Sequence, residues 1–95
     1  MPINPADSLP ADVRKKARRI TRDVVNSLQS QPESSWQGIL TAGIMKAPGA
    51  MSQYLKAVTI KRALLEAGAT EEMVSKLLAN PQLQAQAQTF QIPLE

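Results

Sequence analysis

The sequence predicts an all-α fold, a compact bundle of four to five short helices with a flexible N-terminal arm. Three observations carry that prediction. Aromatic residues are scarce: Trp36, Tyr54 and Phe90 are the only three in 95 residues. Packing must therefore rest on Leu, Ile, Val, Met and Ala, which suits helices better than a β-sandwich. Glutamine is plentiful while clusters of β-branched residues are few, and apolar residues recur at the three- and four-residue intervals of one helix face. A chain of this length makes one small domain and buries only about 60–65% of its unfolded surface, so its core is thin.

Residues 1–9 hold Pro2 and Pro5 in polar surroundings and read as a loose arm, ahead of a single helical domain over 10–93. Ser8 and Pro10 mark a helix start, with Asp12 in the first turn. Val13, Ala17, Ile20, Val24 and Leu28 then form a clean stripe, which predicts a first helix over about 10–29, closed before Pro32. Ser34 followed by Gln37 fits a capping box that opens a second helix at Trp36. That helix has no proper polar face, and "APGA" (47–50) breaks it.

A third helix is predicted over about 50–67, its stripe running through Met51, Tyr54, Leu55, Val58, Arg62 and Leu65, with Gly68 as a left-handed cap. Thr70 caps a fourth, with Glu71 and Glu72 in its first turn and Met73, Val74, Leu77 and Leu78 inward. Asn80-Pro81 ends it and opens a short fifth helix through Leu83, Ala87 and Phe90. The alternation of Gln with Leu or Ala there would also suit a strand, but both residue types favour helix. The closing Leu94-Glu95 pair resembles a cloning remnant and is given no weight.

The composition excludes much chemistry. Neither Cys nor His is present, so there is no disulfide framework, thiolate nucleophile or imidazole base, and the commonest zinc ligands are missing. No phosphate loop is present, since "APGAMS" lacks the required order and lysine placement. The chain therefore reads as a non-enzyme without metal, cofactor or small-molecule substrate. "MPINPADSLP" lacks the basic and apolar regions of a secretory leader, and the longest mostly apolar run, "GILTAGIM", is eight residues, far short of the roughly 18–20 of a membrane span. A cytoplasmic protein is expected.

The net charge of +3 is unevenly spread. Residues 1–30 hold Arg14, Lys15, Lys16, Arg18, Arg19 and Arg22 against Asp7, Asp12 and Asp23, whereas residues 31–95 hold five basic and five acidic residues. The whole excess thus falls on the first helix, opposite its apolar stripe. Arg14, Lys15, Arg18, Arg19 and Arg22 are the candidate contacts to nucleic acid or another polyanion, because Arg and Lys displace condensed counterions and Arg grips phosphate oxygens in pairs. Asp12 and Asp23 are placed to pair with Lys16 or Arg19.

An acidic protein surface is the alternative partner for that face, and a solvated face with no partner is the plain reading. A membrane is disfavoured, since the stripe has no Trp, Phe or Leu before Leu28. Residues 61–81 resemble a helix-turn-helix unit in outline, but Glu71 and Glu72 would repel a duplex, so a structural hairpin is the better reading. The second helix is either the bundle's centre or an interface through Trp36, Ile39, Leu40, Ile44 and Met45, with Gly38 and Gly43 permitting close approach; a homodimer would cover it.

Overall fold

The computed structural model describes residues 5–95; the part of the expected arm at residues 1–4 lies outside them. Among the described residues the fold is entirely helical. Six α-helices follow in order: α1 (Ala11–Ser30), α2 (Trp36–Lys46), α3 (Pro48–Val58), α4 (Ile60–Glu66), α5 (Glu71–Leu78) and α6 (Pro81–Thr89), with 3-10 turns at Pro5–Ser8 and Glu33–Ser35. The radius of gyration is 12.3 Å, which fits one globular body of this length. The count of six replaces the expected four to five.

The α1 helix forms where the stripe predicts, and α2, α3 and α4 all pack on it. Its buried side is wider than the stripe, because Thr21 and Val25 join Ala17, Ile20, Val24 and Leu28. Thr21 is tolerated there because its hydroxyl donates to the Ala17 carbonyl at 2.7 Å. At the start, Ser8 does not cap α1. Its hydroxyl donates to the Pro5 carbonyl at 2.7 Å, closing a turn that buries Ala6 completely and packs on α3. Residues 5–9 are therefore part of the bundle instead of a loose arm. Pro10 precedes the first helical residue in extended geometry, and its carbonyl accepts from the Arg14 amide at 3.0 Å.

The Ser34–Gln37 capping box does not form. The chain enters α2 through a 3-10 turn that leaves Ser35 with helical dihedrals (φ −97°, ψ −5°), and a cap needs an extended residue there. Ser35 instead donates to the Pro32 carbonyl at 2.7 Å, and the Gln37 amide to Thr41 Oγ1 at 3.1 Å. The break after α2 takes one residue, Ala47, because Pro48 supplies the first helical position of α3.

The predicted third helix is two helices. Thr59 separates them at φ 77°, ψ 153°, a region essentially reserved for glycine. Residues two apart point to opposite sides of a continuous helix; the break lets Val58 and Ile60 both turn inward, each 1% exposed. Reorientation also removes Arg62 from the buried stripe: α4 packs through Ile60, Ala63 and Leu64, and Arg62 lies outside, paired with Glu66 at 3.0 Å.

The start of α4 is capped twice. The Thr59 hydroxyl accepts from the Arg62 amide at 3.3 Å, and the Ile60 and Lys61 amides donate to the Pro93 and Leu94 carbonyls at 3.2 and 2.9 Å. Leu94 packs partly buried against the core. The tail reaches α4 because Gln91 turns left-handed (φ 57°) after α6. Its amide then donates to the Gln88 carbonyl at 3.1 Å, and the Ile92 amide to the Ala87 carbonyl at 2.8 Å, the double bond of a Schellman ending.

The remaining caps follow the sequence. Gly68 takes φ 106°, with its amide on the Leu65 carbonyl at 3.1 Å and the Ala69 amide on the Leu64 carbonyl at 3.0 Å. Thr70 accepts from the Met73 amide at 3.1 Å, and Asn80 Oδ1 from the Gln82 and Leu83 amides at 2.8 and 3.3 Å. Residues 81–89 are helix and not strand, with Leu83 and Ala87 buried. A Thr41–Gln86 hydrogen bond of 2.9 Å ties α2 to α6.

Candidate nucleic-acid interface

Burying Ala17, Ile20, Val24 and Leu28 under three helices turns the other side of α1 outward, since the two sides are set by one helical repeat. Lys15, Lys16, Arg19 and Arg22 are exposed, and Arg14 and Arg18 are half-buried at the flank. None of the six forms an ion pair among the described residues. The expected pairs of Asp12 and Asp23 with Lys16 or Arg19 are absent, in keeping with the small gain from joining two well-hydrated exposed charges.

Of the five cations elsewhere, Lys46 and Lys56 are likewise without an ion pair among the described residues, and three are paired. Lys61 lies 4.0 Å from Glu95, Arg62 lies 3.0 Å from Glu66, and Lys76 lies 3.3 Å from Glu72 and 3.5 Å from Glu33. The Lys76 pKa is raised above its ordinary value, first by its hydrogen bond to Glu72 and then by the neighbouring charges of Glu33 and Glu72. That cluster links the last turn of α5 to the turn ahead of α2. Glu71 and Glu72 are exposed, so the outer surface of the 61–81 hairpin offers carboxylates where a reading helix needs donors.

The flank of α1 that carries Arg18 and Arg22 borders a groove of about 300 Å³. Thr21 and Asn26 continue the α1 wall, Tyr54 of α3 lines it, and Ala63, Glu66 and Ala67 form the far side. Tyr54 is 2% exposed and its hydroxyl makes no hydrogen bond among the described residues, yet no wholly buried side-chain polar atom there lacks a partner. Its hydroxyl is therefore not wholly enclosed, and Tyr54 is among the residues that line this groove. In the sequence Tyr54 falls on a core stripe, and nothing in the local pattern links it to Arg18 or Arg22.

The second candidate surface divides. Leu40 and Ile44 are 2% and 4% exposed and lie in this chain's own core, so they are not available to a partner as expected. The close approach expected of Gly43 is made within the chain, where an added Cβ would collide with Val24 of α1; Gly38 faces open space. Trp36 and Ile39 are half-buried against the core, with the Trp36 indole N–H donating to the Gln31 carbonyl at 3.1 Å. Met45, at 55%, is the exposed large hydrophobic residue among those described.

Among the described residues no three or more Asp or Glu side chains gather into a metal-binding group, and no helix is long and apolar enough to cross a membrane. No protein-family model, curated protein or solved structure matches the chain. The molecule is defined by its architecture, a six-helix bundle whose longest helix turns an unpaired basic side outward.

Proposed function

We propose that this chain is a non-enzymatic accessory or regulatory protein that acts by macromolecular contact. Its α1 lays Arg14, Lys15, Arg18, Arg19 and Arg22 against nucleic acid or another polyanion. One observation carries the reading: among the described residues six cations without an acidic partner gather on the one helix α1, whereas α2 and α3 each carry a single unpaired lysine and each ion pair uses a cation of α4 or α5. Cations left free on one helix side keep their full charge for displacing counterions from a phosphate chain. Four of the six are Arg, whose planar fork fits phosphate oxygens better than an ammonium does.

Titrating the chain with an oligonucleotide over a salt series tests this. Affinity should fall steeply with salt, and the slope should become shallower by about one for each phosphate-contacting Arg replaced. Absence of binding at low salt overturns the nucleic-acid reading and leaves either an acidic protein surface as the partner of α1 or a face that is only solvated. A heteromeric complex that survives nuclease treatment would be the signature of the protein partner.

A further inference from the structure

We infer that the groove between α1, α3 and α4 is a seat for one phosphomonoester group. Its α1 wall is lined by Arg18, Arg22 and Asn26, and Tyr54 of α3 lines it beside them. Arg18 and Arg22 have no acidic partner among the described residues. The hydroxyl of a nearly buried tyrosine usually finds a hydrogen-bond partner within its own protein; here it points to an acceptor that arrives from outside. Thr21 does not compete, because its proton is held by the Ala17 carbonyl at 2.7 Å.

The number of donors selects the ligand class. Two guanidinium forks, one hydroxyl and one amide supply about six N–H and O–H donors. A phosphomonoester dianion brings three terminal oxygens to meet them, and a phosphodiester only two with half the charge. Glu66 on the far side is unfavourable to an anion, but Arg62 holds its carboxylate at 3.0 Å and offsets part of its charge. The phosphate therefore sits on the α1 side, with its ester substituent toward Ala63, Ala67 and the mouth.

This inference shares Arg18 and Arg22 with the polyanion reading but does not depend on it. The phosphate belongs either to a strand end or to a free small ester. The test is an NMR titration of the full chain with methyl phosphate and, separately, dimethyl phosphate. Methyl phosphate should give saturable shifts at the Arg18 and Arg22 side chains and around Tyr54, with affinity at least about tenfold above that of dimethyl phosphate. Tyr54→Phe, which removes one oxygen and keeps the ring, should weaken methyl phosphate about tenfold. Arg22→Gln, on an exposed position, gives the same reading if the first variant folds poorly. Glu66→Gln should tighten binding.

Equal binding of the two esters, no saturation with methyl phosphate, or undiminished binding by both variants overturns the seat. A second arm compares a short single strand bearing a 5′-phosphate with its 5′-hydroxyl counterpart. With methyl phosphate bound, preference for the phosphorylated strand makes a strand end the source, and equal affinity makes it a free ester. Methyl phosphate saturation without oligonucleotide binding sinks the polyanion reading and keeps the seat. Oligonucleotide binding without methyl phosphate saturation does the reverse.

Discussion

The α1 helix and the segment spanning α3 and α4 start from similar material: each is about 20 residues of mixed apolar and basic residues with few acids. They end differently. In α1 the apolar residues keep one helical repeat throughout, so the helix is unbroken and its cations gather on the opposite side. In the second segment, Val58 and Ile60 both demand burial from positions that face apart in a straight helix. The chain breaks at Thr59 to satisfy both, and the turned α4 sets Arg62 beside Glu66 and Lys61 beside Glu95. Free charge thus follows from regular packing along α1, whereas in the second region the turned α4 pairs its two cations and Lys56 of the straight α3 stays unpaired.

The largest test of that contrast compares the two sides of α1. Leu28, 1% exposed, should cost about 2–5 kcal/mol when replaced by Ala, because the cavity left cannot fully collapse. Arg19→Gln on the outer side should change stability by no more than about 0.5 kcal/mol. Chemical denaturation of both variants checks this; a large loss for Arg19→Gln would give that cation a structural role. Replacing Arg18, Arg19 and Arg22 together by Gln should leave the fold intact and flatten the logarithmic salt dependence of duplex binding. The slope should fall by about 0.9 for each phosphate that is no longer neutralised. An unchanged slope would remove these residues from the interface.

The break itself makes a smaller prediction. Thr59→Gly should stabilise the protein by about 1 kcal/mol, since it relieves dihedrals costing about 1–3 kcal/mol and substituting Gly for a capping residue costs only a few tenths. A loss in denaturation experiments would show the Thr59–Arg62 cap to matter more than the strain. The smallest effect concerns the paired cations. Because its charged form is favoured in the fold, Lys76 should titrate above 10.5. Its contribution to stability is present below that value and fades as pH rises through the raised pKa. Glu72→Gln should bring its titration back toward the ordinary lysine value, as followed through the Lys76 Nζ resonance.

Much of the helical plan is local and could be read before the fold. Thr70, Asn80 and Gly68 act within four or five residues of themselves, and the α1 stripe is a property of one helix. The capping box at Ser34 failed on an equally local pattern, because a preceding 3-10 turn had already set Ser35 in helical geometry. The candidate site was half readable: the cations were visible as a face, but their lack of partners was not. Asp12 and Asp23 had the spacing to pair, and only exposure to water decides that they do not.

By itself, the sequence determined the all-helical class, the two sides of α1 and most of the helix ends, because helical periodicity and capping are short-range. The tertiary structure alone decided the rest. Ile60 and Lys61 meet Pro93 and Leu94, Gly43 lets α2 settle on Val24, and Tyr54 lines one groove with Arg18 and Arg22. These contacts join residues far apart in the chain, so they exist only when helices pack. The physical reason is that burial selects partners by proximity in space, to which a repeat of three or four residues is blind.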